Sequence, residues 1–163
     1  MRRTKITFLT LLALASVTIW VALAQNPHYL RVTSSGPDND GNIQVCFKIA
    51  GLGNTATTAD VSVTGDATGE YACKNHGQNC PSAANKQQVS GPVTASGTFP
   101  IRNGSVTGCL TLEPPDSTLS CPGNMTTEMI SVTYTNVVIH SGAGDRTVNG
   151  TFTSNNFPGC PGL

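Results

Sequence analysis

The chain has 163 residues, nine Lys or Arg against nine Asp or Glu, and only 11% charged residues. Beyond the first five residues the basic side chains are scattered singly. This argues against nucleic-acid binding, which rests on clustered Lys and Arg. Gly, Pro, Ser, Thr and Asn are abundant and no segment keeps a 3.6-residue apolar repeat, so a helical protein is not expected.

The N-terminal segment has the pattern of a secretory signal. Three basic residues lie within the first five, and an almost continuous apolar run follows up to the tripeptide Ala22-Leu23-Ala24. A basic start, an apolar stretch and a small-x-small exit are typical of export. We therefore expect a signal peptide over residues 1–24 and a secreted or cell-surface protein. Because the run is long enough to cross a bilayer, an uncleaved N-terminal membrane anchor is the alternative. No second apolar run follows, so no further membrane segment is expected.

Cleavage after Ala24 would leave 139 residues, which is the size of one domain. Since three basic residues leave with the signal, six remain against nine acidic ones, and the formal net charge becomes −3. An exported chain folds in an oxidising compartment, where its six cysteines are expected to form disulfide bonds.

Alternation of apolar and polar residues with a period of two indicates half-buried β-strands along the mature chain. The clearest example covers residues 42–50. The predicted strands, in chain order, are 28–33, 42–50, 59–64, 68–73, 93–101, 105–112, 129–139 and 148–152.

Turn residues separate several of these strands. Asn103-Gly104 predicts a tight hairpin because both residue types tolerate positive φ. Gly65-Asp66 is interpreted as a turn, and Asn136 as an interruption of its strand. Seven to eight antiparallel strands predict an all-β fold. We expect a single disulfide-stapled β-sandwich over residues 25–163, immunoglobulin-like in general architecture, with a Pro/Gly-rich C-terminal tail.

The six cysteines allow fifteen connectivities, and the sequence alone does not resolve them. If successive strands alternate in direction, most of the cysteines fall at one end of the sandwich. That placement favours Cys73–Cys121 between two long loops. Cys46 and Cys109 share the polar face of their strands and could pair, which leaves Cys80–Cys160 to hold the tail. A zinc site is the alternative, but no C-x₂-C pair occurs, so neither metal nor other cofactor is expected.

One loop carries weak calcium candidates. Asp38, Asp40 and Asn42 place oxygen-bearing side chains at alternate positions, as calcium loops begin. Gly41 is misplaced for an EF-hand and no Glu follows at the required distance. The favoured interpretation is therefore an Asp/Asn/Gly turn before a strand.

Catalytic patterns are sparse. No serine lies in a G-x-S-x-G motif. No Trp remains in the mature chain to stack a sugar, and nothing places two glutamates at glycosidase spacing. A hydrolase would need a pocket that holds His76 or His140 with a serine and a carboxylate in hydrogen-bond reach. The residues considered are His28, His76, His140, Glu70, Glu113 and Glu128.

A series of short motifs between about residues 43 and 140 resembles a group of small exported, uncharacterised microbial proteins. The motifs are FKIAGLG at 47–53, YACKNHG at 71–77, ANK at 84–86, VSGP at 89–92, NGSVTG at 103–108, SCP at 120–122 and SVTYTNV at 131–137. The group has no assigned activity or fold, so the resemblance implies no function. Its members keep the cysteines that match Cys73 and Cys121, which implies that this bridge is the basic one.

The sequence therefore predicts an exported, non-catalytic domain with an unknown surface or extracellular partner. It predicts no contact with nucleic acid, and none with a membrane beyond the leader. A calcium-dependent adhesion domain that uses the loop at Asp38, Asp40 and Asn42 is the alternative, and a small secreted hydrolase is a further one.

Overall fold

The computed structural model describes residues 26–77, 80 and 85–160. The predicted signal over residues 1–24 lies outside the described residues. Within the described ranges, no helix has the length and apolarity needed to span a membrane.

Eight strands and no helix make up the described secondary structure, which confirms the all-β class. The strands are β1 (His28–Ser35), β2 (Ile43–Ala50), β3 (Thr58–Lys74), β4 (Lys86–Pro100), β5 (Val106–Leu112), β6 (Thr126–Ser141), β7 (Gly144–Thr147) and β8 (Phe152–Ser154).

The strands form two antiparallel sheets. Three strands in the order β1-β2-β5 make the first, and β4-β3-β6-β7 make the second, in which β8 also pairs with β6. Alternate residues of both sheets point into one shared apolar core, as the period-two pattern predicts. Its buried members include Ile43, Val45, Phe47, Ile49, Val61, Val63, Leu112, Val132, Tyr134, Val137 and Ile139.

The predicted turn at Gly65-Asp66 is wrong. The chain continues through this dipeptide as the single long strand β3, which pairs with β4 without interruption. Gly65 is buried, and a Cβ atom there would lie 3.3 Å from Cγ2 of Val137. Glycine is needed here for close packing against β6 rather than for a turn.

Asn136 marks a bulge rather than a break in its strand. β6 runs continuously past it, while the register between β3 and β6 shifts between Thr64 and Asp66. Asn136 takes a φ of 53°, and its Nδ2 donates a hydrogen bond to Oδ2 of Asp66 at 2.8 Å. The extra residue is therefore held by the opposite strand, as is usual for a β-bulge.

The hairpin at Asn103-Gly104 is confirmed. Both residues have positive φ, 49° and 69°, and Arg102 and Ser105 exchange two backbone hydrogen bonds. The flanking strands then separate, since β4 pairs with β3 whereas β5 pairs with β2. The turn thus carries the chain from one sheet to the other.

The C-terminal strand lies elsewhere than predicted. Residues 148–152 do not form one strand; β7 ends before them and β8 begins at Phe152. Val148 is buried in the core, and its backbone N–H donates to the carbonyl of Val137 at 2.8 Å. The buried Val148 side chain therefore holds residues 148–151 against the core, between the end of β7 and the start of β8.

Candidate functional site

A shallow cleft of about 520 Å³ opens on the outer face of the five-stranded sheet. Three adjacent strands, β4, β3 and β6, form its walls, so it joins residues that are far apart in sequence. We refer to it as the His140 cleft. Its lining residues are Asp60, Val61, Ser62, Ser96, Gly97, Thr98, His140 and Ser141.

His140 is held between a carboxylate and a hydroxyl. Its Nδ1 lies 2.8 Å from Oδ1 of Asp145, and its Nε2 lies 2.9 Å from Oγ1 of Thr64. The register explains the first contact, because His140 and Asp145 are opposite each other on β6 and β7. The imidazole orientation is therefore fixed from both sides.

Other carboxylates of this face are also fixed across strands. Each accepts a hydrogen bond from a residue of the neighbouring strand, which limits the rotamers available to both side chains. The pairs are Asp60 with Oγ1 of Thr98 at 2.6 Å, Asp66 with Nδ2 of Asn136 at 2.8 Å, and Glu70 with Oγ of Ser131 at 3.0 Å. The face is consequently polar and preorganised.

The cleft offers hydroxyl, imidazole and carboxylate groups. None of its described lining residues is Lys, Arg, Phe, Tyr or Trp. Such a lining suits a ligand that forms hydrogen bonds, and it suits neither an anion nor a stacked ring.

The remaining catalytic candidates are dispersed. His28 is exposed, and its Nδ1 lies 2.9 Å from the carbonyl oxygen of Asn26, two residues earlier. His76 is exposed in the loop after β3. Glu128 forms an ion pair with Nζ of Lys74 at 2.8 Å, away from the cleft. Of the candidates considered from sequence, His140 has a hydroxyl and a carboxylate within hydrogen-bond distance among the described residues.

The calcium candidates form a self-capped turn. Oδ1 of Asp38 accepts hydrogen bonds from the backbone N–H groups of Asp40 and Asn42, both at 2.9 Å. Its Oδ2 lies 3.4 Å from Nδ2 of Asn42. The Asp38 carboxylate thus stabilises the local backbone, as Asp does in Asx turns. Among the described residues, no three His, Cys, Asp or Glu side chains are grouped to hold a metal ion.

Three disulfide bonds join the pairs that the sequence favoured. They link Cys46 to Cys109, Cys73 to Cys121 and Cys80 to Cys160. The last two lie near the end of the five-stranded sheet where β3 ends and β6 begins. The first lies within the three-stranded sheet.

Two partners of His140 were not identified from sequence. Thr64 and Asp145 belong to no recognisable motif, and only the β3–β6 and β6–β7 registers bring them to the imidazole. One feature of the sequence could have pointed to Asp145. It is acidic and lies five residues after His140, a spacing at which a short hairpin brings it opposite His140 on the next strand. Comparisons with protein-family models, with curated proteins and with solved structures return no match.

Proposed function

We propose that the chain is an exported, non-catalytic binding domain of immunoglobulin-like architecture, and that the His140 cleft is its binding surface. The observation that carries the proposal is the fixed orientation of His140 between Asp145 and Thr64. A preorganised site loses less conformational entropy when a ligand binds. Three disulfides are typical of a protein that works in an oxidising, extracellular environment.

The cleft supports a polar extracellular partner. Its hydroxyls both donate and accept hydrogen bonds, and Asp60 supplies an acceptor at the rim. Because the described lining carries no Lys or Arg, a phosphate or carboxylate ligand would meet no compensating charge from these residues. An uncharged or weakly basic segment of a surface glycan or protein fits this chemistry best.

The test uses a pair of arginine substitutions on the mature protein. Ser96→Arg places a long side chain across the cleft, while Thr107→Arg places one on the outer face of the other sheet; both positions are exposed. We expect the unsubstituted protein to bind elements of immobilised glycan or peptide arrays. Ser96→Arg should abolish that binding and Thr107→Arg should retain it, with unchanged circular dichroism. Equal binding by both variants would overturn the proposal.

A hydrolase is the second candidate, because Thr64, His140 and Asp145 lie in the order of nucleophile, base and orienting carboxylate. Oxyanion stabilisation is the difficulty. Thr64 lies inside β3 and pairs with Thr94 on one side and Val138 on the other, so its backbone is committed to the sheet. Backbone N–H groups are the usual donors to a tetrahedral intermediate, whereas the N–H of a strand residue such as Thr64 normally serves the sheet ladder.

Turnover of p-nitrophenyl acetate separates the two candidates. A binding domain should hydrolyse this ester no faster than its His140→Ala variant does. Catalysis by the unsubstituted protein that His140→Ala abolishes, with folding intact, would favour the hydrolase.

A further inference from the structure

The Cys46–Cys109 bridge joins two strands that are already paired. The cysteines are directly opposite in a ladder of seven residue pairs from Ile43↔Leu112 to Ile49↔Val106. Their Cα atoms are 4.0 Å apart, close to the spacing of about 4.5 Å in a non-hydrogen-bonded antiparallel pair. The backbone therefore holds the two side chains together independently of the sulfur bond.

This bridge also differs from the others in burial. Cys109 is exposed and Cys46 is half-buried, because both point to the outer face of the three-stranded sheet. Each of the other bridges contains one buried residue: Cys73 is 0% exposed and Cys160 is 2% exposed. Breaking either of those would leave a thiolate in apolar surroundings, where it is a poor leaving group.

The surroundings of Cys46 favour a thiolate. Lys48 lies two residues further along β2, hence on the same face, and Arg31 of β1 is paired opposite Lys48. Both cations are exposed. Two carboxylates lie on the other side of the bridge from these cations. Glu113 lines a shallow pocket with Cys109, and Asp38 lines another with Gln44 and Thr111. Nearby cations stabilise both an approaching thiolate and the thiolate that leaves.

We propose that the Cys46–Cys109 bridge is a reversible thiol-exchange site for low-molecular-weight thiols, independent of the ligand-binding role. The thiolate of the small molecule attacks Sγ of Cys109, the Cys46–Cys109 bond breaks, and its electron pair remains on Sγ of Cys46, which takes up a proton. Cys109 then carries a mixed disulfide. Attack by Cys46 on Cys109 expels the small thiolate and restores the bridge.

A second equivalent of thiol completes reduction. It attacks the small-molecule sulfur of the mixed disulfide, which releases the small-molecule disulfide and leaves Cys46 and Cys109 as a dithiol. Oε1 of Gln44 lies 3.4 Å from Sγ of Cys46 and is placed to accept a hydrogen bond from that thiol. Because the strands stay paired, the two thiols remain opposite, and the small-molecule disulfide can oxidise them again by the reverse exchange, which returns two small-molecule thiols.

The experiment titrates the oxidised mature protein with glutathione, traps free thiols by alkylation and locates them by peptide mass analysis. We expect Cys46 and Cys109 to be labelled at a glutathione concentration at least about tenfold below that needed for the other four cysteines. Circular dichroism should stay unchanged at that point. Simultaneous labelling of all six cysteines, or earlier labelling of Cys73 and Cys121, would overturn the proposal.

Two variants sharpen the test. In Cys46→Ser, oxidised glutathione should attach to Cys109 in the folded protein; attachment only after denaturation would contradict an accessible site. Lys48→Glu keeps all three bridges, so it remains informative if Cys46→Ser does not fold. It should slow reduction of Cys46–Cys109 several-fold at low ionic strength, whereas Lys86→Glu on the other sheet should not. Equal rates for the two charge variants would exclude the proposed role of the cationic face.

Discussion

The hydroxyl of Tyr134 donates a hydrogen bond to the carbonyl oxygen of Gly41 at 2.8 Å. Tyr134 is 0% exposed in the centre of β6, and Gly41 is buried in the loop before β2. The contact ties the turn of Asp38 to a strand of the opposite sheet. The loop that resembled the start of a calcium site is thus fixed by the core.

Tyr134→Phe should lower the free energy of unfolding by about 1–3 kcal/mol, because the buried carbonyl of Gly41 loses its partner. Urea denaturation measures the loss. Tyr29→Phe is the comparison. The Tyr29 hydroxyl also donates to a carbonyl, that of Gly144, at an exposed contact where water can replace it, and it accepts a part-buried hydrogen bond from the Ser141 hydroxyl at 2.8 Å. Because Tyr29 is only half-buried whereas Tyr134 is fully buried, we expect the smaller loss at Tyr29. A loss at Tyr29 as large as that at Tyr134 would contradict the argument.

The protein should lose stability in alkali. Burial raises the pKa of Tyr134, Tyr29 and Tyr71 above the ordinary value of 10.0, with the largest rise at Tyr134. As the pH rises, the unfolded chain therefore loses these hydroxyl protons at a lower pH than the folded protein does. Stabilisation is complete below about pH 10 and falls as the pH rises towards the folded pKa values. Unfolding free energies at about pH 8 and pH 11 should differ less in Tyr134→Phe than in the unsubstituted protein; an equal difference would exclude this cause.

Calcium should leave the thermal midpoint unchanged, because a bound ion would raise it by mass action. Asp38→Ala should lower stability by about 1 kcal/mol with or without calcium, because the backbone N–H groups of Asp40 and Asn42 lose their shared acceptor, Oδ1 of Asp38. Asp40→Ala should have a smaller effect. Melting curves in millimolar calcium and in chelator decide this. A calcium-dependent rise that the variant with both Asp38→Ala and Asp40→Ala abolishes would restore the adhesion hypothesis.

Cys73→Ser should destabilise the protein more than Cys80→Ser. The chain-entropy contribution is about 4 kcal/mol for either bridge, so it does not separate them. Cys73 is 0% exposed within β3, where a serine hydroxyl would be buried, whereas Cys80 is half-buried. Thermal midpoints of the two variants test the order. Equal losses would show that burial at Cys73 adds nothing to the loss of its bridge.

Secreted protein should begin at Gln25 and contain no free thiol. The first expectation rests on the Ala22-Leu23-Ala24 exit. The second rests on the three bridges. Intact-mass measurement with and without reduction tests both, and alkylation of non-reduced protein provides the control. A retained leader would indicate a membrane-anchored protein instead.

The sequence predicts local features of the fold well and fails where packing overrides local preference. The strand at Ile43–Ala50 and the hairpin at Asn103-Gly104 depend on residues that are close in sequence, so both could be predicted from the sequence. Gly65-Asp66 looks like a turn, yet Gly65 serves close packing against Val137 in a continuous strand. Glycine has both uses, and only the tertiary environment distinguishes them.

The sequence by itself determined the strand character, the cysteine inventory and the polar face of each strand, because these follow from residue type and a period of two. Only the tertiary structure decided which polar residues meet. A shift of one residue in the β3–β6 pairing would turn Thr64 away from His140, and strand register is set by the packed core and the bulge at Asn136. The candidate site is therefore a product of register, which no short motif records.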